Sequence, residues 1–199
     1  MLTPLANETV LVLQARRGDQ AAFVALVEHY QTPVYNLCAR MLGDRAEAEE
    51  AAQEAFMRAY DRLASFDPAR SFKTWLLAIA GHYCIDRLRR RHWHWLSIED
   101  DDLPAHPALR EPAAGPEEAA VRREQVDAVQ TLLDELPPRD RRLLVLYYWH
   151  DLPCAEIARM TGTTVAAVKS RLHRARAELA ARMGANSPLN AGQAAAALT

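Results

Sequence analysis

Covalent staples are scarce in this chain. Its three cysteines, Cys38, Cys84 and Cys154, are an odd number, far apart and without C-x-x-C spacing, which argues against a disulfide framework and for buried reduced thiols. Long apolar runs are also missing, because no window approaches the roughly 18 uninterrupted apolar residues that a bilayer span needs. The opening Met1-Leu-Thr-Pro-Leu-Ala-Asn-Glu lacks the basic start and apolar stretch of a signal peptide, so a cytoplasmic protein without membrane insertion is expected. Between Glu8 and Trp95 there are no alternating Val/Ile/Thr runs, which excludes a strand-built first domain. No Gly-rich phosphate loop, Ser–His–Asp order or pair of acids in an apolar setting is present, so neither enzymatic activity nor a cofactor is expected. A basic excess is lacking too. The formal net charge is -2, yet acidic and basic residues occupy different stretches, and local field rather than total charge governs contact with phosphate.

What is present is helical periodicity, and the fold class it predicts is all-α. Half of the 199 residues are hydrophobic, enough for one or two small buried cores. Thr9 to Arg17 reads as a short helix ended by Gly18. Asp19 caps a second helix through Phe23, Leu26, Val27, Tyr30, Val34, Leu37, Cys38 and Met41, with a kink expected at Pro33. Gly43 closes it and Asp44 caps an acidic, alanine-rich helix over 46–63 that buries Ala48, Ala52, Ala55, Phe56 and Ala59. After a break at Ser65-Phe-Asp-Pro-Ala-Arg70, Ser71 caps a long helix through Phe72, Trp75, Leu76, Ile79, Tyr83 and Leu88 into the basic run Arg87-Leu-Arg-Arg-Arg91.

From Ser97 to Glu118 prolines and acids dominate, which marks an extended linker. The expected organisation is a first helical domain at 1–96, an acidic linker at 97–118, a second helical domain at 119–183 and a disordered tail at 184–199. In the second domain, 119–136 carries Val126, Val129, Leu132 and Leu133, and Pro137-Pro138 separates it from a helix with Leu143, Leu144, Leu146 and Tyr147.

A helix–turn–helix follows. Val165, Val168, Leu172, Ala175 and Leu179 are spaced three and four apart and form one apolar stripe, against which Ile157 and Met160 can pack. Gly162 permits the left-handed backbone that ends the first helix, and Thr163 or Thr164 caps the second. Ala166, Ser170, His173 and Ala177 lie opposite the stripe, flanked by Lys169, Arg171, Arg174 and Arg176. Short side chains facing bases and cations reaching phosphates suit a helix in a DNA groove better than an ordinary solvated face.

Cations and aromatics also coincide around the long basic helix, with Lys73, Arg87, Arg89, Arg90 and Arg91 near Trp75, Tyr83, Trp93 and Trp95, and with Phe66 and Arg70 in the preceding loop. That combination suits melted or single-stranded DNA, although Phe72 and Trp75 also fit a core role. The acidic helix, with Glu47, Glu49, Glu50 and Glu54, is a poor DNA surface and a plausible docking face for a basic partner.

These residues resemble the extracytoplasmic-function group of bacterial sigma factors, within the sigma-70 superfamily. The resemblance rests on Gly18-Asp-Gln-Ala-Ala-Phe23, Ala48-Glu-Glu-Ala-Ala-Gln-Glu-Ala-Phe56, Phe72-Lys-Thr-Trp-Leu76, Ile85-Asp-Arg-Leu-Arg-Arg90 and Val168-Lys-Ser-Arg-Leu-His-Arg-Ala-Arg176, in that order along nearly the whole chain. It implies a two-domain sigma factor without a catalytic site, which binds core RNA polymerase and directs it to promoter DNA. Glu50, Gln53, Glu54 and Arg58 would meet the β′ coiled coil, and the polymerase β flap and an anti-sigma factor are further implied partners. The -10 element would be captured and melted by Phe66, Asp67, Arg70, Lys73, Trp75, His82, Asp86, Arg89 and Arg90. The -35 element would be read by Thr164, Lys169, Ser170, Arg171, His173, Arg174 and Arg176. Three positions depart from the family's usual pattern: His82 where Asn is frequent, Pro153 where Ser or Thr often caps a helix, and Glu50 where Asp is frequent. A free-standing regulator using only the C-terminal motif is the alternative within DNA binding. A metal site built from His82, Cys84, His92 and His94 has poor helical geometry and no carboxylate ligand nearby, so no metal is expected.

Overall fold

The computed structural model describes residues 7–97 and 126–186, with side chains described for 7–91 and 126–182. The first domain is built from α1 (Glu8–Arg16), α2 (Gln20–Leu42), α3 (Arg45–Arg62), a 3-10 turn (Leu63–Ser65) and α4 (Phe72–Ser97). The second contains α5 (residues 126–134), α6 (Pro138–Tyr148), α7 (Cys154–Thr161) and α8 (Val165–Asn186). The linker beyond Ser97 and the tail beyond Asn186 lie outside the described residues, as do the side chains of His92, Trp93, His94 and Trp95.

Local chemistry sets the helix boundaries. The Asp19 carboxylate accepts the Ala22 N–H at 3.1 Å, and the Asp44 carboxylate accepts the Glu47 N–H at 2.7 Å; each satisfies a donor that has no partner within its helix. Gly43 ends α2 at φ 75°, in the left-handed region that glycine enters without Cβ strain. The Ser71 hydroxyl accepts the Thr74 N–H at 3.3 Å to start α4. Pro33 lies inside α2, which continues through it as one helix.

The first core joins Leu26, Val34, Leu37 and Met41 of α2 to Leu76 and Leu77 of α4, all at 0–1% exposure. Burying each such side chain contributes about 1.5–3 kcal/mol. Ala48, Ala51, Ala52, Ala55 and Ala59 form the buried face of α3 against α2 and α4, while Phe56 packs there only partly buried. The second core gathers Leu133, Leu136, Leu143, Leu144, Leu146, Ile157, Val168 and Leu172.

The structure moves several expected boundaries and faces. The first helix begins and ends one residue earlier than expected. Helix α4 runs one residue into the expected linker, and α8 continues through Gly184 to Asn186. Val165, expected in the apolar stripe, is 40% exposed, because the first helical residue has no preceding turn of α8 to cover it. Tyr147 is exposed while Val145 is fully buried. Helix α6 packs against α2, α4, α7 and α8, so everything from Arg141 to Leu146 is covered and a one-sided periodicity misreads it.

The two domains touch. Helix α6 meets α2 and α4, and α7 meets α4. At this seam the Arg141 guanidinium donates to the Met41 carbonyl at 2.6 Å and to the Asp134 carboxylate at 2.7 Å. Gln130 donates to the Arg40 carbonyl at 3.3 Å, and the Arg40 guanidinium lies over the Trp149 ring, 5.1 Å from its centroid.

Candidate docking and nucleic-acid surfaces

The acidic face of α3 follows from its register. With the alanines turned inward, Glu50 and Gln53 are exposed and Glu54 is partly so. Part of this charge is internally paired. Glu54 accepts from Arg58 at 2.7 Å, and Glu50 accepts from Arg87 of α4 at 2.9 Å. Arg58 in turn lies over the Tyr83 ring at 4.7 Å. Arg87 is thus a strut between α3 and α4 rather than a free cation of the basic run, and its ion pairs with Glu47 and Glu50 hold the guanidinium charged. Arg91 joins the same set through Glu47 at 3.7 Å.

The loop before α4 separates into buried and exposed parts. Phe66 is 3% exposed, and its ring meets Phe72 at 5.6 Å and Trp75 at 4.8 Å. This corrects the expectation that Phe66 offers a ring to an unstacked base. It belongs to the aromatic cluster that anchors the loop, and desolvating it there is worth more than leaving it on the surface. Trp75 is partly buried in the same cluster. The loop's exposed groups are Asp67, which accepts the Ala69 N–H at 3.0 Å, and Arg70, which pairs with Asp67 at 3.5 Å. Further along α4, Arg89 pairs with Asp86 at 2.6 Å and Arg90 donates to the Asp86 carbonyl at 3.4 Å; both arginines are exposed.

Lys73, Thr74 and His82 share α4 with these groups, but two of them are engaged by the second domain. Lys73 donates to the His150 carbonyl at 3.3 Å, and the Thr74 hydroxyl donates to Glu156 of α7 at 2.9 Å. His82 is exposed, with its pKa lowered by partial desolvation and by the nearby Arg142 charge. Gly81 explains how Arg142 comes so near. A Cβ at Gly81 would stand 2.7 Å from Arg142 Nε, so the missing side chain leaves room for the guanidinium where it lies on α4.

The helix–turn–helix has the geometry its sequence predicts. Gly162 ends α7 at φ 65°, and of the two candidate caps it is Thr164 whose hydroxyl accepts the Ala167 N–H at 3.1 Å. Val168, Leu172, Ala175 and Leu179 are buried, and Lys169, Ser170, His173, Arg174 and Arg176 are exposed on α8. Arg176 also donates to the Leu172 carbonyl at 3.2 Å and the Tyr148 hydroxyl at 3.3 Å. Arg171 departs from the expected set. It binds Asp140 at 2.7 Å and bolts α8 to α6, lining a groove of about 720 Å³ between the domains together with Leu42, Ile85, Leu88, Arg89 and Arg141.

Sequence reasoning missed the seam itself, with Arg141, Arg142, His150, Thr74 and Glu156. One signal was available: Gly81 sits inside a long helix, where glycine costs about 1 kcal/mol.

Comparison with known proteins identifies the family. Residues 26–94 match the family model described as Sigma-70 region 2, and residues 127–179 match Sigma-70, region 4. The ECF RNA polymerase sigma factor SigW of Bacillus subtilis is 38% identical over 84% of this chain and 92% of its own length. RNA polymerase sigma factor CnrH of Cupriavidus metallidurans is 30% identical over 94% of this chain and 99% of its own. The solved structure of CnrH in complex with the cytosolic domain of CnrY superposes with a TM-score of 0.64 at 28% identity, covering 90% of this chain and 99% of that one. With region 2 carried by the first helical domain and region 4 by the second, the chain belongs to the ECF group of RNA polymerase sigma factors.

Proposed function

We propose that this sigma factor binds core RNA polymerase through the α3 face and directs it to promoters by reading a -35 element with α8 and opening a -10 element with α4 and its preceding loop. The observation that carries this reading is the division of α8: a buried stripe clamps it to α6 and α7, while Lys169, Ser170, His173 and Arg174 project outward on a capped, rigid helix. Such a helix brings cations to phosphates and short polar groups to base edges in a major groove. Glu50, Gln53 and Glu54 supply the contact for a basic partner such as the β′ coiled coil, with the β flap as a second polymerase contact. On α4 and its loop, Asp67, Arg70, Lys73, His82, Asp86, Arg89 and Arg90 remain the residues for the melted -10 strand, and Trp75 supports them from the partly buried cluster.

The functional division is 1–96 for docking and melting, 97–118 as linker, 119–183 for -35 reading and 184–199 as tail. The protein works in the cytoplasm, without catalytic chemistry of its own, under an anti-sigma factor. No described helix is long and apolar enough to cross a membrane. Purified core polymerase plus this chain should start transcription at specific promoters from a genomic library. Failure across the whole library would overturn the reading.

A further inference from the structure

Three polar residues are buried among the described ones, Arg141, Arg142 and His150, and all three belong to the second domain. Arg141 has acceptors for both Nη groups, from Met41 and Asp134, while its Nε has none. His150 is 4% exposed and its Nε2 has no hydrogen-bond partner. Its own carbonyl holds Lys73 of α4 at 3.3 Å, so the imidazole sits at the contact between the domains. We propose that His150 is an acid-labile latch, whose neutral imidazole lets the second domain close over α4 and whose protonation drives the two domains apart.

The charges around the seam decide the sign. From α4 the nearest charge is Lys73, and His82 lies further along the same helix beside Arg142. From α2 comes Arg40, stacked on Trp149. Helix α6 contributes Arg142, 2% exposed, with Nε and an Nη unpartnered. Helix α7 offers Glu156, already engaged by Thr74, and Asp151 next to His150 is exposed. Of these groups the one whose charge acts on His150 is Lys73, and no acid supplies it with a partner for a proton on Nε2. An imidazolium there would be a buried charge facing an ammonium, which is strongly unfavourable.

Burial, then the Lys73 charge, push the His150 pKa down to about 4 in the closed form, against 6.5 for the free side chain. A depressed histidine favours the closed form fully above pH 6.5. Its contribution is lost as pH falls from 6.5 toward 4, because the open form takes up the proton first. Between pH 7.5 and 5.5 the open-to-closed ratio should rise about tenfold. Opening frees Lys73 and Thr74. That this exposes a -10 surface rests on the proposed function, whereas the movement itself does not.

The test is small-angle X-ray scattering of the free full chain at pH 7.5 and 5.5 and fixed ionic strength, with helix content followed by circular dichroism. The expected result is a compact chain at pH 7.5 and a larger radius of gyration at pH 5.5 with helix content unchanged. His150→Phe, which keeps a buried ring without a titrating nitrogen, should abolish the response. Lys73→Gln, which keeps a donor for the His150 carbonyl, should shrink it, and His82→Asn should retain it. An extended chain at pH 7.5, no expansion at pH 5.5, expansion accompanied by helix loss, or an equal response in His150→Phe would each overturn the latch. If His150→Phe fails to fold, an undiminished response in Lys73→Gln overturns it instead.

Discussion

Arg142 offers the sharpest test of how the two domains are held. Its guanidinium is 2% exposed, lies against Gly81, and has no acceptor for Nε or one Nη. Desolvation lowers its pKa from the usual guanidinium range to about 10, opposed by Cys84. At 1.36 kcal/mol per pKa unit, the charged form is disfavoured in the closed protein on the order of 3 kcal/mol. Arg142→Met removes that charge while keeping an unbranched chain of similar volume against Gly81 and Cys84. Part of the gain returns as lost packing of the guanidinium plane, so a net stabilisation of about 1–2 kcal/mol is expected. For a chain of this size that corresponds to a rise in Tm of about 2–8 °C, measured by thermal unfolding at 222 nm. Because a firmer seam must be opened before α4 is free, affinity for a single-stranded -10 oligonucleotide should fall as Tm rises. A lower Tm for Arg142→Met would refute the reasoning, since it would mean that the buried guanidinium has a partner the geometry does not provide.

Asp44→Ala removes the acceptor for the Glu47 N–H and should lower unfolding free energy by about 1 kcal/mol in urea titrations; no change would show the cap to be idle. Arg174→Ala should weaken binding to a -35 duplex and reduce the salt slope by about one phosphate contact, and an unchanged slope in a fluorescence anisotropy titration would remove Arg174 from the interface. Gln53→Ala with Glu54→Ala should lower affinity for core polymerase in a pull-down while leaving helix content intact. Unaltered capture of core would exclude this part of α3 from docking.

Much of the local structure around the candidate site was legible because it is set over short distances. The caps Asp19, Asp44, Ser71 and Thr164, the stop at Gly162 and the buried row from Val168 to Leu179 are each set by residues within one or two turns. The exposed basic face of α8 follows once that row is buried. Phe66 and Arg171 were misjudged for one reason. An aromatic ring in a polar loop and an arginine in a basic helix look free in sequence, but each finds a partner from another element, Phe72 and Trp75 for the ring and Asp140 for the guanidinium.

The sequence by itself determined the all-helical class, several helix caps and the family, since hydrophobic period, capping and motif order act over short distances. Only the tertiary structure decided which charges are available. Arg87 is tied to Glu50, Lys73 to the His150 carbonyl and Thr74 to Glu156, pairings made across 37 to 82 positions of sequence. Gly81 and Arg142 meet because a missing side chain on one helix leaves room for a long one on another. The physical reason is that burial and charge pairing depend on distance in space, and for the seam that distance is set by how helices far apart in sequence pack together.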